Sequence, residues 1–359
     1  MDKQKYHEPG IRETIAKDLQ RGDFWVSIKQ DWRELKEFFL SSERKEKLGD
    51  MFVIKRWLFM PFWLMKSLYL HLNPARRILL LFSAILLIAS DGKEQNTTSL
   101  FFSGLIVFFI LMLELKDKLL ARDELAAGRS VQAALMPEEQ PVIEGWQLWL
   151  ITKPAKDVGG DIVDFIELDE KKRYLALSDI SGKGLGAALL AAKLQSTVRA
   201  LISVNISLSD LVSQVNSIFY RDTPSSSFAS MFYLELETNN GEIHFVNAGH
   251  MPPHIFKNKE LIKLEKGGPA LGLMKNVSYK ESSITMNSGD FLFLYSDGVS
   301  EAENENGAFF GEKRLELLLN RYCDKAPKYL GNIVLNSIAD FVGEAAAHDD
   351  ISMLILKKE

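Results

Sequence analysis

From residue 142 onward the sequence is written in short apolar runs: WQLWLIT, IVDFIEL, RYLALSDI, FASMFYLELE, EIHFVNAG, HIFKN, DFLFLYSD and ISMLILKK. Each has a strand's length and its Val, Ile, Tyr and Phe content, and Gly, Pro, Asn or Asp clusters part them. Asn239-Asn240-Gly241 precedes EIHFVNAG, where a hairpin would turn. Helical patterns stand in separate blocks: Leu185 to about Ser203, Leu208 to about Tyr220, and two between Glu312 and Phe341. Strands joined by hairpins, with helices segregated from them, predict an α+β domain on antiparallel sheet rather than repeated βαβ units.

The chain has 359 residues, more than one ordinary domain requires. With 47% apolar and 25% charged residues it has the composition of a folded protein. A formal charge of −5 gives no basic footprint for nucleic acid, so no nucleic-acid partner is expected. The single cysteine, Cys323, forms no internal disulfide and anchors no zinc cluster, which points to a reducing compartment. Any metal must then be held by oxygen, which favours a hard cation. The polar opening MDKQKYHEPGIRETIAKD has no apolar signal core.

Residues 1–74 read as a helical, partly amphipathic region, with the aromatic stretch WLFMPFWLMKSLYLHL at 57–72 suited to a membrane interface. Two apolar runs follow, ARRILLLFSAILLIAS (75–90) and SLFFSGLIVFFILMLEL (99–115), charged only at their edges. Each is a little short of the ~20 residues that span a bilayer. Together, over 75–115, they are expected to form a transmembrane two-helix hairpin, the alternative being a buried hairpin of a soluble domain. The connecting loop carries one lysine, Lys93, whereas Lys55, Arg56, Lys66, Arg76, Arg77, Lys116, Lys118 and Arg122 flank the runs. Basic flanks stay inside, so both chain ends should face the cytoplasm from its inner membrane. Residues 116–137 read as a linker helix ending at Pro137, with a weak heptad at Leu120, Ala127 and Ala134. It could pair with its copy in a homodimer or pack on its own domain, which would occupy 138–359.

Aspartates recur at the strand ends of that domain. Asp161 follows KDVGG, Asp179 ends YLALS, Asp297 ends FLFLYS, and Asp349 and Asp350 precede ISMLIL. One such aspartate is ordinarily a turn former or helix cap. If the strand ends converge, the carboxylates repel one another unless divalent cations compensate them, as in a two-metal site. Asp179 also opens SDISGKGLGAALLAAK, whose glycines allow a sharp turn into a helix close to such a site.

The ordered motifs VGGDIVDF, LALSDISGKGLGAAL, FASMFYLELE, VNAGHMPP, GGPALGL, LYSDGVSEA and HDDISMLIL resemble the metal-dependent protein phosphatases of the type 2C class. The nearest likeness is to their bacterial branch of sporulation (SpoIIE-type) and sigma-factor-regulatory serine phosphatases, over roughly 120–357. The resemblance implies a β-sandwich flanked by helices with two Mg²⁺ or Mn²⁺ ions at one end. Asp161 and Asp179, with the backbone carbonyl of Ile180, would hold the bridging region, and Asp297 and Asp349 the second metal. Asp350 is adjacent as a possible outer partner, and which of the pair ligates stays open; Asp164 is another outer acid. Activated water would attack phosphorus in line without a covalent intermediate. The substrate implied is a small phosphorylated regulatory protein, such as an anti-sigma-factor antagonist in a partner-switching pathway.

Lys183 is a candidate for substrate phosphate or a solvated loop lysine. His250, in NAGHMPPH, is a candidate substrate or water contact or a structural turn residue, and His254 and His348 read as loop residues. Two rival functions remain. The domain could be a catalytically inactive module that binds a phosphoprotein within a membrane signalling complex. Alternatively, Gly182, Gly184 and Ala187 fit a dinucleotide fingerprint after a strand, a weak signal alone.

Overall fold

The computed structural model describes residues 32, 53–88, 97–168, 172–202, 207–258 and 260–359. The expected helices before residue 53 and the loop carrying Lys93 lie outside these. The chain divides into two compact units, 1–119 and 120–359.

In the first unit, α1 (Val53–His71) and α2 (Pro74–Ile88) are separated by a short break, and α3 (Thr97–Leu135) follows. Helix α2 and the first part of α3 run antiparallel. Arg76 reaches Glu114 at 2.6 Å and Asp117 at 2.5 Å, and Ser83 meets Ser103 through hydroxyls 2.9 Å apart. Those two serines are buried between the helices, and their hydroxyls also bond each other's carbonyls. Ile85, Ile88, Phe101, Phe108 and Leu111 are exposed. By length and composition, α3 is the one helix among the described residues fit to cross a membrane. Helix α2, at 15 residues, is about 22 Å long and falls short of the ~30 Å hydrocarbon layer. No break separates the apolar run from the linker sequence: α3 is continuous through 115–116.

The second unit is a sandwich of two five-stranded antiparallel sheets. One has the order β1 (Trp146–Lys153), β10 (Ile351–Lys358), β9 (Phe291–Tyr295), β6 (His254–Lys257), β7 (Glu260–Lys263). The other runs β2 (Ile162–Glu167), β3 (Lys172–Ile180), β4 (Ala229–Glu237), β5 (Glu242–Ala248), β8 (Glu281–Thr285). Alternation along each strand sorts its side chains. Leu148, Leu150, Leu175, Leu177, Phe232, Leu234, Leu292, Leu294, Leu354 and Leu356 fill the space between the sheets. Their neighbours on the same strands point outward to helices. Tyr174, Ala176, Met231 and Tyr233 meet α4 (Leu185–Leu201) and α5 (Leu208–Asp222). Trp149, Phe291, Phe293, Met353 and Ile355 meet α7 (Glu312–Arg321) and α8 (Pro327–Val342). A strand covered on both faces has no polar side, which is why FLFLY reads as an unbroken apolar run.

The Asn239-Asn240-Gly241 turn joins β4 to β5, with Gly241 at φ +75° and the Asn240 side chain accepting the Glu242 N–H at 2.9 Å. His254 lies in β6 rather than a loop. It is buried and stacked 5.7 Å from the Tyr295 ring. Every named strand pair is antiparallel. The dinucleotide reading is overturned by this topology, because its fingerprint needs a parallel βαβ unit.

Candidate active site

The sandwich brings four strand ends to one rim. Asp161 leads into β2, and in the β2–β3 register Ile162 faces Ser178, so Asp179 lies across from Asp161. In the other sheet Tyr295 faces Met353, which places Asp297 beside the 349–350 segment. Asp297 starts a single helical turn, α6 (Asp297–Ser300). Gly298 lies so close to this segment that a Cβ there would be 2.0 Å from the Asp350 carbonyl.

Asp350 ties the two sheets together. Its Oδ1 accepts the Ala155 N–H at 2.8 Å, and its Oδ2 accepts the N–H groups of Gly160 at 2.7 Å and Asp161 at 3.4 Å. Gly159 makes room for this carboxylate, since a Cβ there would be 2.2 Å from Oδ2. Asp350 is thus spent on fixing the loop that carries Asp161. Asp349 keeps a carboxylate oxygen directed outward: Oδ1 accepts the Asp350 N–H at 3.0 Å, and Oδ2 is 2.9 Å from the Lys183 ammonium. The Ile180 carbonyl is against Gly160, 3.0 Å from where a Cβ would be.

Crowded carboxylates should resist ionisation. Asp161, only 2% exposed, is held well above the usual carboxylate range by burial and by Asp179. Asp179 is pushed up to about 7 by burial and by Asp297, Asp349 and Asp350. Asp297 is raised by burial and by Asp349. The donor set fits a hard divalent cation. It is all oxygen and carries excess negative charge, and Asp161 Oδ2 is buried without a hydrogen-bond partner. The spacing is looser than the chemistry: among the described residues, no three Asp, Glu, His or Cys side chains stand close enough to chelate one ion.

The remaining candidates lie around this cluster. The buried His250 ring has Nδ1 2.8 Å from the Ser230 hydroxyl, and Ser230 faces Asp179 across β3–β4. Burial pushes this imidazole down to about 4, so it is neutral at physiological pH. Asn247 clasps the His250 backbone, accepting its N–H at 2.8 Å and donating to its carbonyl at 3.1 Å. From there His250 can brace the strand behind Asp179. Asp164 lies elsewhere, held by Arg199 of α4 at 2.5 and 3.0 Å. Lys183 donates to the His348 carbonyl as well as pairing with Asp349. Sequence reading missed Gln132 of α3, whose side chain brackets Gly159 by donating to its carbonyl at 2.8 Å and accepting its N–H at 3.2 Å. Gln132 stands among other polar residues of that helix, Arg129 and Ser130 close by, so no local signal marked it.

The family model for Stage II sporulation protein E (SpoIIE) matches residues 169–359, more than half of the chain. Phosphoserine phosphatase RsbU of Bacillus subtilis (strain 168) is 27% identical over 242 residues, covering 66% of this chain and 71% of that protein. Protein IcfG of Synechocystis sp. is 27% identical over 262 residues, which cover 65% of this chain but 41% of IcfG. Among solved structures, the SiaA-PP2C domain of Pseudomonas aeruginosa shares the fold with a TM-score of 0.59 at 18% identity, over 68% of this chain and 99% of that one. The motifs read from the sequence, the two-sheet sandwich and the family match converge: the chain belongs to the SpoIIE family and has the fold of the PP2C domain.

Proposed function

We propose that the chain is a membrane-tethered, metal-dependent phosphatase that hydrolyses phosphoserine or phosphothreonine on a regulatory protein. The observation that carries this is the meeting of Asp161, Asp179, Asp297 and Asp349 at one rim of the sandwich, where burial and neighbouring carboxylates hold Asp161, Asp179 and Asp297 above the usual carboxylate range. Asp161, Asp179 and the Ile180 carbonyl would hold one divalent cation, Mn²⁺ or Mg²⁺, and Asp297 and Asp349 a second. Bound there, the cations supply a water activated near neutral pH and neutralise charge on the phosphoryl oxygens. The protein's own part is positional. Asp350 fixes the Asp161 loop, His250 and Asn247 brace the strand end behind Asp179, and burial of Asp161 reserves its free oxygen for a ligand.

RsbU is by name a phosphoserine phosphatase, which supports phosphoserine as the substrate group here. The family resemblance supports a small phosphorylated regulator, of the anti-sigma-factor-antagonist kind, as its bearer. A groove of about 530 Å³ runs from Ser181 and Lys183 along Leu189 and Leu190 to Pro224, beside the acid cluster, and offers room for a protein segment. Gln132 connects α3 to the Asp161 loop and gives the linker helix a physical hold on the site. Exposed Leu120 and Val131 on α3 support homodimerisation along it. The apolar, exposed surface of α2 and α3 supports a tether through residues 75–115, with the basic flanks and the phosphatase domain in the cytoplasm. On that basis the protein stays in the pellet when membranes are washed with alkaline carbonate. Release into the supernatant would remove the tether.

The test of the activity is p-nitrophenyl phosphate hydrolysis by the full-length protein in detergent, with Mn²⁺ and with EDTA. Turnover is expected with Mn²⁺ and none with EDTA. The loose spacing of the acids favours one second reading, an inactive phosphoprotein-binding module. A well-folded protein that binds no Mn²⁺ and turns over no substrate would establish that reading instead.

A further inference from the structure

Lys183 sits between Gly182 at φ +100° and Gly184 at φ +74°, and open space surrounds the position of a Cβ at either glycine. Two adjoining residues free of side-chain sterics form a hinge on which the lysine can swing. Its ammonium is 2.9 Å from Asp349 Oδ2 and also donates to the His348 carbonyl. With Oδ1 accepting the Asp350 N–H, each oxygen of Asp349 has a partner. The same ammonium offsets the repulsion felt by Asp179 and by Asp297, so one positive charge serves three acids of the cluster. This is the electrostatic work expected of a cation, and it coincides with carboxylates not drawn to chelating distance.

We propose that Lys183 is a tethered counter-ion that occupies Asp349 in the metal-free site and must swing away for the cation at Asp297 and Asp349 to bind. The inference rests on the reading of those two aspartates as metal ligands. An ammonium on a carboxylate oxygen and a divalent cation bound to the same oxygen repel each other strongly, so the two compete for Asp349. The Lys183 and Asp349 side chains are 48% and 41% exposed, so water competes with their pairing. The lysine therefore acts as a latch that a divalent cation can displace. It raises the cation concentration needed to assemble the site, and it keeps the acids compensated until then.

The experiment is a titration of detergent-solubilised full-length protein with Mn²⁺ near neutral pH, with free Mn²⁺ read by its electron paramagnetic resonance signal. Lys183→Gln is expected to bind the weaker Mn²⁺ roughly three- to tenfold more tightly than wild type. Lys183→Arg, which keeps the charge, should hold the wild-type affinity. Unchanged or weaker binding by Lys183→Gln overturns the latch. Asp297→Asn separates this failure from failure of the metal reading. If Asp297→Asn loses a Mn²⁺ that wild type binds while Lys183→Gln changes nothing, the metal site stands and the latch falls. If a cooperatively melting wild type binds no Mn²⁺, both fall.

Discussion

Asp179→Asn is expected to lower Mn²⁺-dependent hydrolysis by about 10³-fold and, in the same protein without metal, to raise the melting temperature at neutral pH. The two effects have one origin. Asp179 is pushed up to about 7 because it is buried and faces Asp297, Asp349 and Asp350. An ionised carboxylate there is destabilising until a cation arrives. Asparagine keeps the size and shape, removes the charge and relieves its neighbours, but is a much poorer cation ligand. An acid kept for structure behaves in the opposite way: Asp164, held at two points by Arg199, gains nothing from losing its charge. Activity assays and metal-free thermal melts of the single variant therefore decide what kind of carboxylate Asp179 is. Lost activity together with lost metal-free stability would make Asp179 a structural acid and would undermine the metal reading.

The sequence showed most clearly those parts of the molecule whose pattern is local. The eight apolar runs are strands because helices or the opposite sheet cover both faces of most of them, leaving few polar residues to blur the signal. The strands β7 and β8 were missed for the complementary reason. They are short sheet edges whose residues are mostly exposed, and ELIK and ESSIT offer only three apolar residues between them to stand out. The polarity changes near residue 115 without a break in the helix, because Glu114, Leu115, Lys116 and Lys118 are all good helix formers and a change of polarity alone does not end a helix. At the site, the aspartates were visible as single residues at strand ends. Their partners were not, because each partnership joins distant segments: Asp350 with Gly160, Asp164 with Arg199, Lys183 with Asp349, Gln132 with Gly159. Only the folded sandwich reveals that adjacent Asp349 and Asp350 do different work, one clasping backbone and the other facing an ammonium.

The stabilisation gained on adding saturating Mn²⁺ should grow as pH rises from about 5 to 7 and level off above that, because a proton and a cation compete for Asp179. For the metal-free protein the acid cluster and His250 oppose each other. The folded value of Asp179 rises from 3.8 to about 7, so across that interval the native state keeps a proton that the unfolded state has released, and stability falls as pH rises. His250 is lowered from 6.5 to about 4, so between those values the unfolded state binds the extra proton, and stability rises with pH. Asp161 and Asp297, raised like Asp179, add to the fall, so His250 offsets it only in part below about pH 6.5. Asp222, pulled down to about 2 by Arg221 and Lys193, acts below this range. The difference between curves with and without Mn²⁺ cancels His250, which is common to both, and isolates the proton that the cation displaces. One displaced proton corresponds to about 1.4 kcal/mol per pH unit, a tenfold change in affinity. Asp161 and Asp297 are shifted in the same upward direction and steepen the slope if they release protons as well. Urea melts across this range with Mn²⁺ and with EDTA measure the difference directly. A Mn²⁺-induced stabilisation that is flat in pH, or that shrinks as pH rises, would mean that the cation binds away from the protonated cluster and would leave Asp179 without a role in holding it.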